Sequence, residues 1–241
     1  MKPLRHTCLA AALLGALAWP AAPLWAKADA GVPAPPSAHP APPHVVIFSR
    51  DAYRLVGWVK QSGDNRGAPF AVIDKRYARL LVFDADGRLR GTAPILLGTA
   101  RGDDSAPGVG DKKLSELKPE ELTTPAGRFV AEHGSNTRGE DVIWIDYDAA
   151  VSMHRVLTSD PKERRLQRLA TPTIADNRIS HGCVNVPKAF FENVVLKTLD
   201  VPHPIVYVLP ETRPLDKQFT ALAASGHAAM AHAGSVAAAR K

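Results

Sequence analysis

Short apolar runs separated by turn residues fill the middle of the chain, and they constrain it to a sheet-based fold. The stretch FAVIDKRYARLLVFDADGRLRGTAPILLG, residues 70–98, is a succession of β-rich runs. Asp86-Gly87 makes a hairpin turn between residues 80–83 and the run that ends at Leu97. GRFVAEH, DVIWIDY and AVSMHRV continue the texture, each bounded by Gly, Asp or Ala. Short strands at regular spacing predict an all-β sandwich or a barrel-like pair of sheets. One helix interrupts them. PKAFFENVVLKTL opens with Pro187 at a first-turn position and carries a broad stripe of Phe190, Phe191, Val194, Val195 and Leu199. PIVYVLP, residues 204–210, reads as a closing strand, and there is no internal repeat.

The ends of the chain are of a different kind. Lys2 and Arg5 precede an apolar run, residues 9–19, that is too short to span a bilayer, and small residues follow at Ala26, Ala28 and Ala30. This is the pattern of a secretory signal peptide, expected over residues 1–26. Residues 27–43 form a Pro/Ala-rich linker, since six prolines within residues 31–44 exclude a helix or a central strand. The folded domain is expected over residues 44–210. The alanine-rich residues 211–241 have little to bury and are expected to form a flexible tail. His227 and His232 in that tail read as solvated composition rather than metal ligands. Loss of Lys2 and Arg5 lowers the formal charge from +6 to about +4, a mildly basic balance suited to an anionic polymer or surface. No Lys/Arg stripe or aromatic ladder argues for a nucleic-acid partner.

Export gives the cysteines their meaning. Cys8 lies ahead of the apolar run, not at its end, so it is badly placed to become a lipid-modified first residue. Its loss with the signal leaves Cys183 as the one thiol of an exported protein, where an unpaired thiol is exposed to oxidation. A reactive thiolate needs a neighbouring base or positive charge. His181 is two residues away, and His154 sits near the end of an expected strand. Gly182 allows close backbone approach, so N–H groups around Gly182 and Cys183 are candidates for stabilising an oxyanion. Three readings follow: thioester acyl transfer, a small buried hydrophobe, and a zinc site of His154, His181 and Cys183. The zinc site lacks a close C-x-x-C pair.

SHGCVN (180–185), the upstream strand-borne histidine and TTPAGRF (123–129) resemble the L,D-transpeptidase catalytic domain, the YkuD family of peptidoglycan enzymes. The resemblance covers about residues 70–209. It implies a mostly β sandwich with a short helix after the cysteine and long loops over the active site. By that resemblance Cys183 is the nucleophile and His154 its base. Ser180, His181, Gly182 and Asn185 complete the signature, and the backbone of 181–183 is the oxyanion site. The implied reaction acts on tetrapeptide stems. The thiol attacks the bond before the terminal D-alanine, D-alanine leaves, and an amine takes the acyl group. Water in place of the amine gives an L,D-carboxypeptidase. A second stem, a lipoprotein, a free amino acid and water remain open as acceptors, and no cofactor or metal is expected. A non-catalytic peptidoglycan-binding relative is expected to lose the thiol or its base, and both are present. A papain-like endopeptidase places its cysteine before its histidine, the reverse of the order here.

This chain departs from the family pattern in two ways: Arg155 follows His154, and a long connection separates His154 from Ser180. Residues 155–178 hold Arg155, Lys162, Arg164, Arg165, Arg168 and Arg178 against Asp160, Glu163 and Asp176. A charge run of this kind is a solvated face or a lid whose arginines take stem carboxylates. Arg155 and Arg178 are the expected substrate-binding residues. The protein is expected in the periplasm or at the cell wall.

Overall fold

A computed structural model describes residues 48–225. The expected signal peptide, the linker and the end of the alanine-rich tail, with Cys8, His227 and His232, lie outside the described residues.

A first helix, α1 (Arg50–Ser62), precedes the strands. Ser49 caps it, its Oγ accepting the Ala52 N–H at 3.0 Å, and Gly63 closes it in the left-handed conformation at φ 68°. Ala52, Leu55 and Val59 form the buried stripe. The sequence reading passed over this helix, although a serine cap, apolar residues at i, i+3 and i+7, and a terminal glycine announce it.

The strands are β1 (Phe70–Asp74), β2 (Arg79–Phe83), β3 (Leu89–Pro94), β4 (Leu97–Gly98), β5 (Gly127–Val130), β6 (Glu132–Ser135), β7 (Asp141–Asp146) and β8 (Val151–Arg155). A short helix, α2 (Arg165–Ala170), lies between β8 and β9 (Arg178–Ser180), and β10 (Val184–Val186) follows. The next helix begins as Lys188–Phe190, passes through a π turn over Phe191–Val195 and ends as Leu196–Leu199; together these are α3. β11 (Ile205–Val208) and α4 (Leu215–Gln218) complete the described fold.

Two main sheets form, ordered β3-β2-β1-β11-β5 and β10-β8-β7-β6, and β4 pairs with β9. The fold is mostly β, as the sequence predicts. β1 shows how the layers arise, because its successive side chains alternate between faces. Ala71 and Ile73 join Val206, Val208, Ile143, Met153, Val184 and Phe191 in the larger core. Phe70 and Val72 face the other way and pack with Leu55, Val59, Tyr207, Leu215, Phe219 and Leu222. One sheet is therefore covered on both faces. This explains why β1 and β11 are continuous apolar runs rather than alternating ones.

The second core corrects the expected domain boundary. Residues 211–225 do not begin a flexible tail: Leu215, Phe219 and Leu222 are buried against the sheet face that α1 also covers. The reading from composition overlooked three large apolar residues spaced along a segment otherwise made of charged, polar and small residues. Among the described residues, no helix is long and apolar enough to cross a membrane. Phe219→Ala should destabilise the domain by about 3–5 kcal/mol, the usual cost of emptying a buried phenyl site. Denaturant unfolding measures this, and an unchanged midpoint would show that the segment is not part of the domain.

Candidate active site

The site grows from one pairing. β10 runs parallel to β8, with Val184 opposite Met153, Asn185 opposite His154 and Val186 opposite Arg155. Met153 and Val184 are fully buried in the larger core. Alternation therefore puts Ser152 and His154 on the opposite face, with Cys183 at the entrance to β10 beside them. The Cys183 thiol is half-buried. The Ser152 N–H points to Sγ at 3.5 Å, with Ser152 Oγ at 3.7 Å and the Ala150 carbonyl at 3.6 Å.

His154 is held in one tautomer. Its Nδ1 lies 2.7 Å from the carbonyl oxygen of Arg155, which only accepts, so Nδ1 carries a proton and Nε2 is the ring nitrogen left to exchange one with the thiol. The Cys183 thiol sits below its ordinary pKa. Burial pushes it up, but the hydrogen bond with His154 and the Ser152 N–H outweigh burial by favouring the thiolate. The depressed value, with a base alongside, marks a thiol suited to nucleophilic attack.

The loop before Cys183 is locked from within. Ser180 Oγ donates to the Cys183 carbonyl at 2.6 Å and accepts the Gly182 N–H at 3.1 Å. Gly182 adopts φ 132°, and a Cβ there would lie 2.9 Å from the Thr123 carbonyl oxygen, so only glycine fits. Where the sequence reading has Gly182 lend its N–H to an oxyanion, that N–H here donates to Ser180 Oγ. His181 is exposed. It contributes to holding the Glu163 carboxyl below its ordinary range, an effect led by Arg165. Asn185 is buried and serves the scaffold, donating to the Cys183 carbonyl at 3.4 Å and accepting from Arg165 Nη1 at 2.6 Å.

Four arginines of the 155–178 connection meet protein oxygens. Arg155 pairs with Asp141 at 3.1 Å and Glu192 at 2.9 Å, and it lies over the Phe191 ring. Arg178 pairs with Glu211 and donates to the carbonyls of Lys75 and Gly98. Arg165 is buried between Glu163 and Asn185, and Arg168 donates to the carbonyls of Glu163 and Asp176. The forks of Arg155 and Arg178 thus meet protein oxygens, and Arg155 also lines a cleft with His154. Net charge along the sequence could not reveal partners as distant as Glu192 and Glu211.

Two residues of the site escaped the sequence reading. Thr124, fully buried, donates from Oγ1 to the Gly182 carbonyl at 2.7 Å and accepts the Gly98 N–H at 2.9 Å. Lys75 is also fully buried, and its three ammonium protons meet Gly102 O at 2.5 Å, Asp103 Oδ1 at 2.9 Å and Thr124 O at 2.9 Å. Thr124 belongs to the quoted TTPAGRF, which was its one signal. Lys75 follows β1 and reads in sequence as a turn residue. Two clefts lie nearby, one that includes His154 and one that includes Ala150, whose carbonyl is 3.6 Å from the thiol. One, about 270 Å³, is lined by Glu140, Asp141, His154, Arg155, Leu157 and Lys188. The other, about 620 Å³, is lined by Asp111, Trp144, Tyr147, Asp148 and Ala150. Among the described residues, no group of three or more His, Cys, Asp and Glu side chains is arranged to hold a metal ion.

Comparison with known proteins gives the family of the domain. Residues 68–208 match the family model of the YkuD L,D-transpeptidase catalytic domain. No curated protein matches. Among solved structures, a variant of the helical cell shape determining protein Pgp2 from Campylobacter jejuni aligns at 14% identity and TM-score 0.41, covering 69% of this chain and 58% of that one. The catalytic domain of the E. faecium L,D-transpeptidase aligns at 18% identity and TM-score 0.34, covering 59% of this chain and 98% of that one. L,D-transpeptidase 1 of Mycobacterium tuberculosis aligns at 16% identity and TM-score 0.31, covering 58% of this chain and 61% of that one. The chain thus spans less than two thirds of the length of Pgp2 and of the mycobacterial chain.

The site predicts how the thiol titrates. Because His154 favours the thiolate, alkylation by iodoacetamide should rise with pH through a midpoint below that of an ordinary cysteine. His154→Ala should move that midpoint upward and slow labelling at neutral pH. Stopped-time labelling across pH checks this, and superimposed profiles would separate His154 from the thiol.

Proposed function

The chain belongs to the YkuD family of L,D-transpeptidase catalytic domains, and from that premise we propose that it is a peptidoglycan L,D-transpeptidase working through a thioester on Cys183. The observation that carries this reading is the fixed tautomer of His154, which leaves Nε2 as the acceptor for the Cys183 proton. In the proposed cycle the thiol proton passes to Nε2, and Sγ attacks the carbonyl carbon that precedes the terminal D-alanine of a tetrapeptide stem. The oxyanion collapses, the C–N bond breaks, and the departing nitrogen takes the proton back from His154. D-Alanine leaves. An acceptor amine then attacks the thioester, its proton passes to Nε2, the C–S bond breaks, and the thiolate is restored. General-base assistance of this kind is worth about 10²–10⁴ in rate.

The domain plan belongs to the same proposal. Residues 1–26 act as an export signal, residues 27–43 link it to the domain, and the protein works outside the cytoplasm, where stem peptides are. N-terminal sequencing of the native protein should begin near Ala26 to Ala30; an intact Met1 in a cytoplasmic fraction contradicts export.

The activity is tested with purified stem tetrapeptides and an amine acceptor, with products read by mass spectrometry. Wild-type protein should release D-alanine and form the cross-linked product, and Cys183→Ser should abolish both. Normal D-alanine release by Cys183→Ser refutes thioester chemistry. Release of D-alanine without a cross-link, whichever amine is offered, assigns water as the acceptor.

A further inference from the structure

We propose that Thr124 is a positioning residue whose hydroxyl aims the backbone N–H of Cys183 at the oxyanion formed when the thiolate attacks an acyl carbonyl; this rests on the acyl-transfer reading of Cys183. The Gly182 carbonyl and the Cys183 N–H are opposite edges of one peptide plane, and in a trans peptide they point in opposite directions. Thr124 Oγ1 draws the Gly182 carbonyl toward the fully buried Thr124 at 2.7 Å. The Cys183 N–H on the other edge is therefore turned away from the interior, toward the side where substrate meets the thiol. The neighbouring donor is unavailable, because Gly182 N–H is held by Ser180 Oγ. The plane after Cys183 is fixed as well, its carbonyl accepting from Ser180 Oγ at 2.6 Å. Thr124 and Ser180 thus fix the two peptide planes that flank the nucleophile.

Thr124 is itself held. The Gly98 N–H donates to its Oγ1 at 2.9 Å, which orients the hydroxyl proton toward Gly182. Lys75 Nζ donates to its carbonyl at 2.9 Å while also binding Gly102 O and Asp103, so one ammonium pins both ends of the long 101–126 segment. The Lys75 carbonyl accepts from Arg178 Nη2 at 3.2 Å, on the strand that leads into Ser180. Gly98 admits no side chain, since a Cβ there would meet the Leu122 carbonyl oxygen at 2.3 Å. The loop that delivers Thr124 is thereby seated directly against β4.

The proposal separates two reactions of one thiol. With 4-nitrophenyl acetate the thiolate forms a C–S bond, the carbonyl becomes an oxyanion, and the C–O bond breaks as 4-nitrophenolate departs. Iodoacetamide reacts at a saturated carbon, losing iodide without any oxyanion. Thr124→Val should slow acylation about 10-fold or more, since misplacing a catalytic group by about 1 Å costs up to about 10². Alkylation and its pH midpoint should stay within about 2-fold, because no oxyanion is involved. Thr124→Ser should restore acylation. Loss of both reactions together, or of neither, overturns the proposal, as does a wild-type protein that reacts with iodoacetamide but not with the ester. A wild-type protein that takes the ester yet releases no D-alanine from stems refutes the substrate assignment and leaves Thr124 in place.

A second measurement needs no variant. When an aldehyde adds to the thiol, sulfur bonds to the carbonyl carbon and the thiol proton goes to oxygen. The Cys183 amide proton should then shift downfield in the NMR spectrum while that of Gly182 does not. The reverse pattern overturns the assignment.

Discussion

The parallel pairing of β10 with β8 is the constraint on which the site depends. Parallel neighbours cannot be joined by a tight turn, so the chain must travel from Arg155 through the whole 156–183 connection before it can lie beside itself again. Where it returns, register decides everything: Asn185 opposite His154 leaves Cys183 level with Ser152. A slip of one residue would turn Val184 outward and bury the thiol in the core. The apolar residues Met153, Val184 and Val186, all fully buried, forbid that slip. Packing on one face of the sheet thus fixes chemistry on the other.

A second constraint lies beneath the Cys183 loop. Lys75, Asp103, Arg178 and Glu211 form a charged cluster whose side chains are nearly sealed from solvent. Burial pushes the Lys75 ammonium below its ordinary pKa, and Asp103 opposes this by hydrogen bond and charge. Asp103 also accepts the N–H groups of Glu211, Thr212 and Arg213. Removing one partner from such a cluster leaves a buried charge uncompensated, at about 3–5 kcal/mol. The cluster joins the 101–126 segment, the strand before Cys183 and the turn after β11. It makes the Cys183 loop part of the domain's frame.

The legible part of the sequence was the part written in local pattern. Apolar runs and Asp86-Gly87 gave the sheet texture, and the S-H-G-C-x-N string, with a histidine upstream, pointed to the family. The helix Arg50–Ser62 was readable from Ser49, Leu55, Val59 and Gly63 and was passed over. Leu215, Phe219 and Leu222 were masked by the polar residues around the first two and the alanines around the third. Other features had no local trace. Thr124 meets Gly182 across 58 positions and Lys75 meets Thr124 across 49, so their roles exist only once the chain has folded. The arginines of the 155–178 connection show the same limit. Read in order they outnumber Asp160, Glu163 and Asp176, whereas folded Arg155 meets Asp141 and Glu192 and Arg178 meets Glu211.

Mixing the protein with a stem tetrapeptide, quenching in acid within the first turnover and weighing the intact chain tests the thioester most directly. The account predicts a transient mass increase equal to the stem less D-alanine, located on the peptide that contains Cys183 and removed by hydroxylamine. D-Alanine released with no such adduct, or an adduct on any other residue, would contradict it.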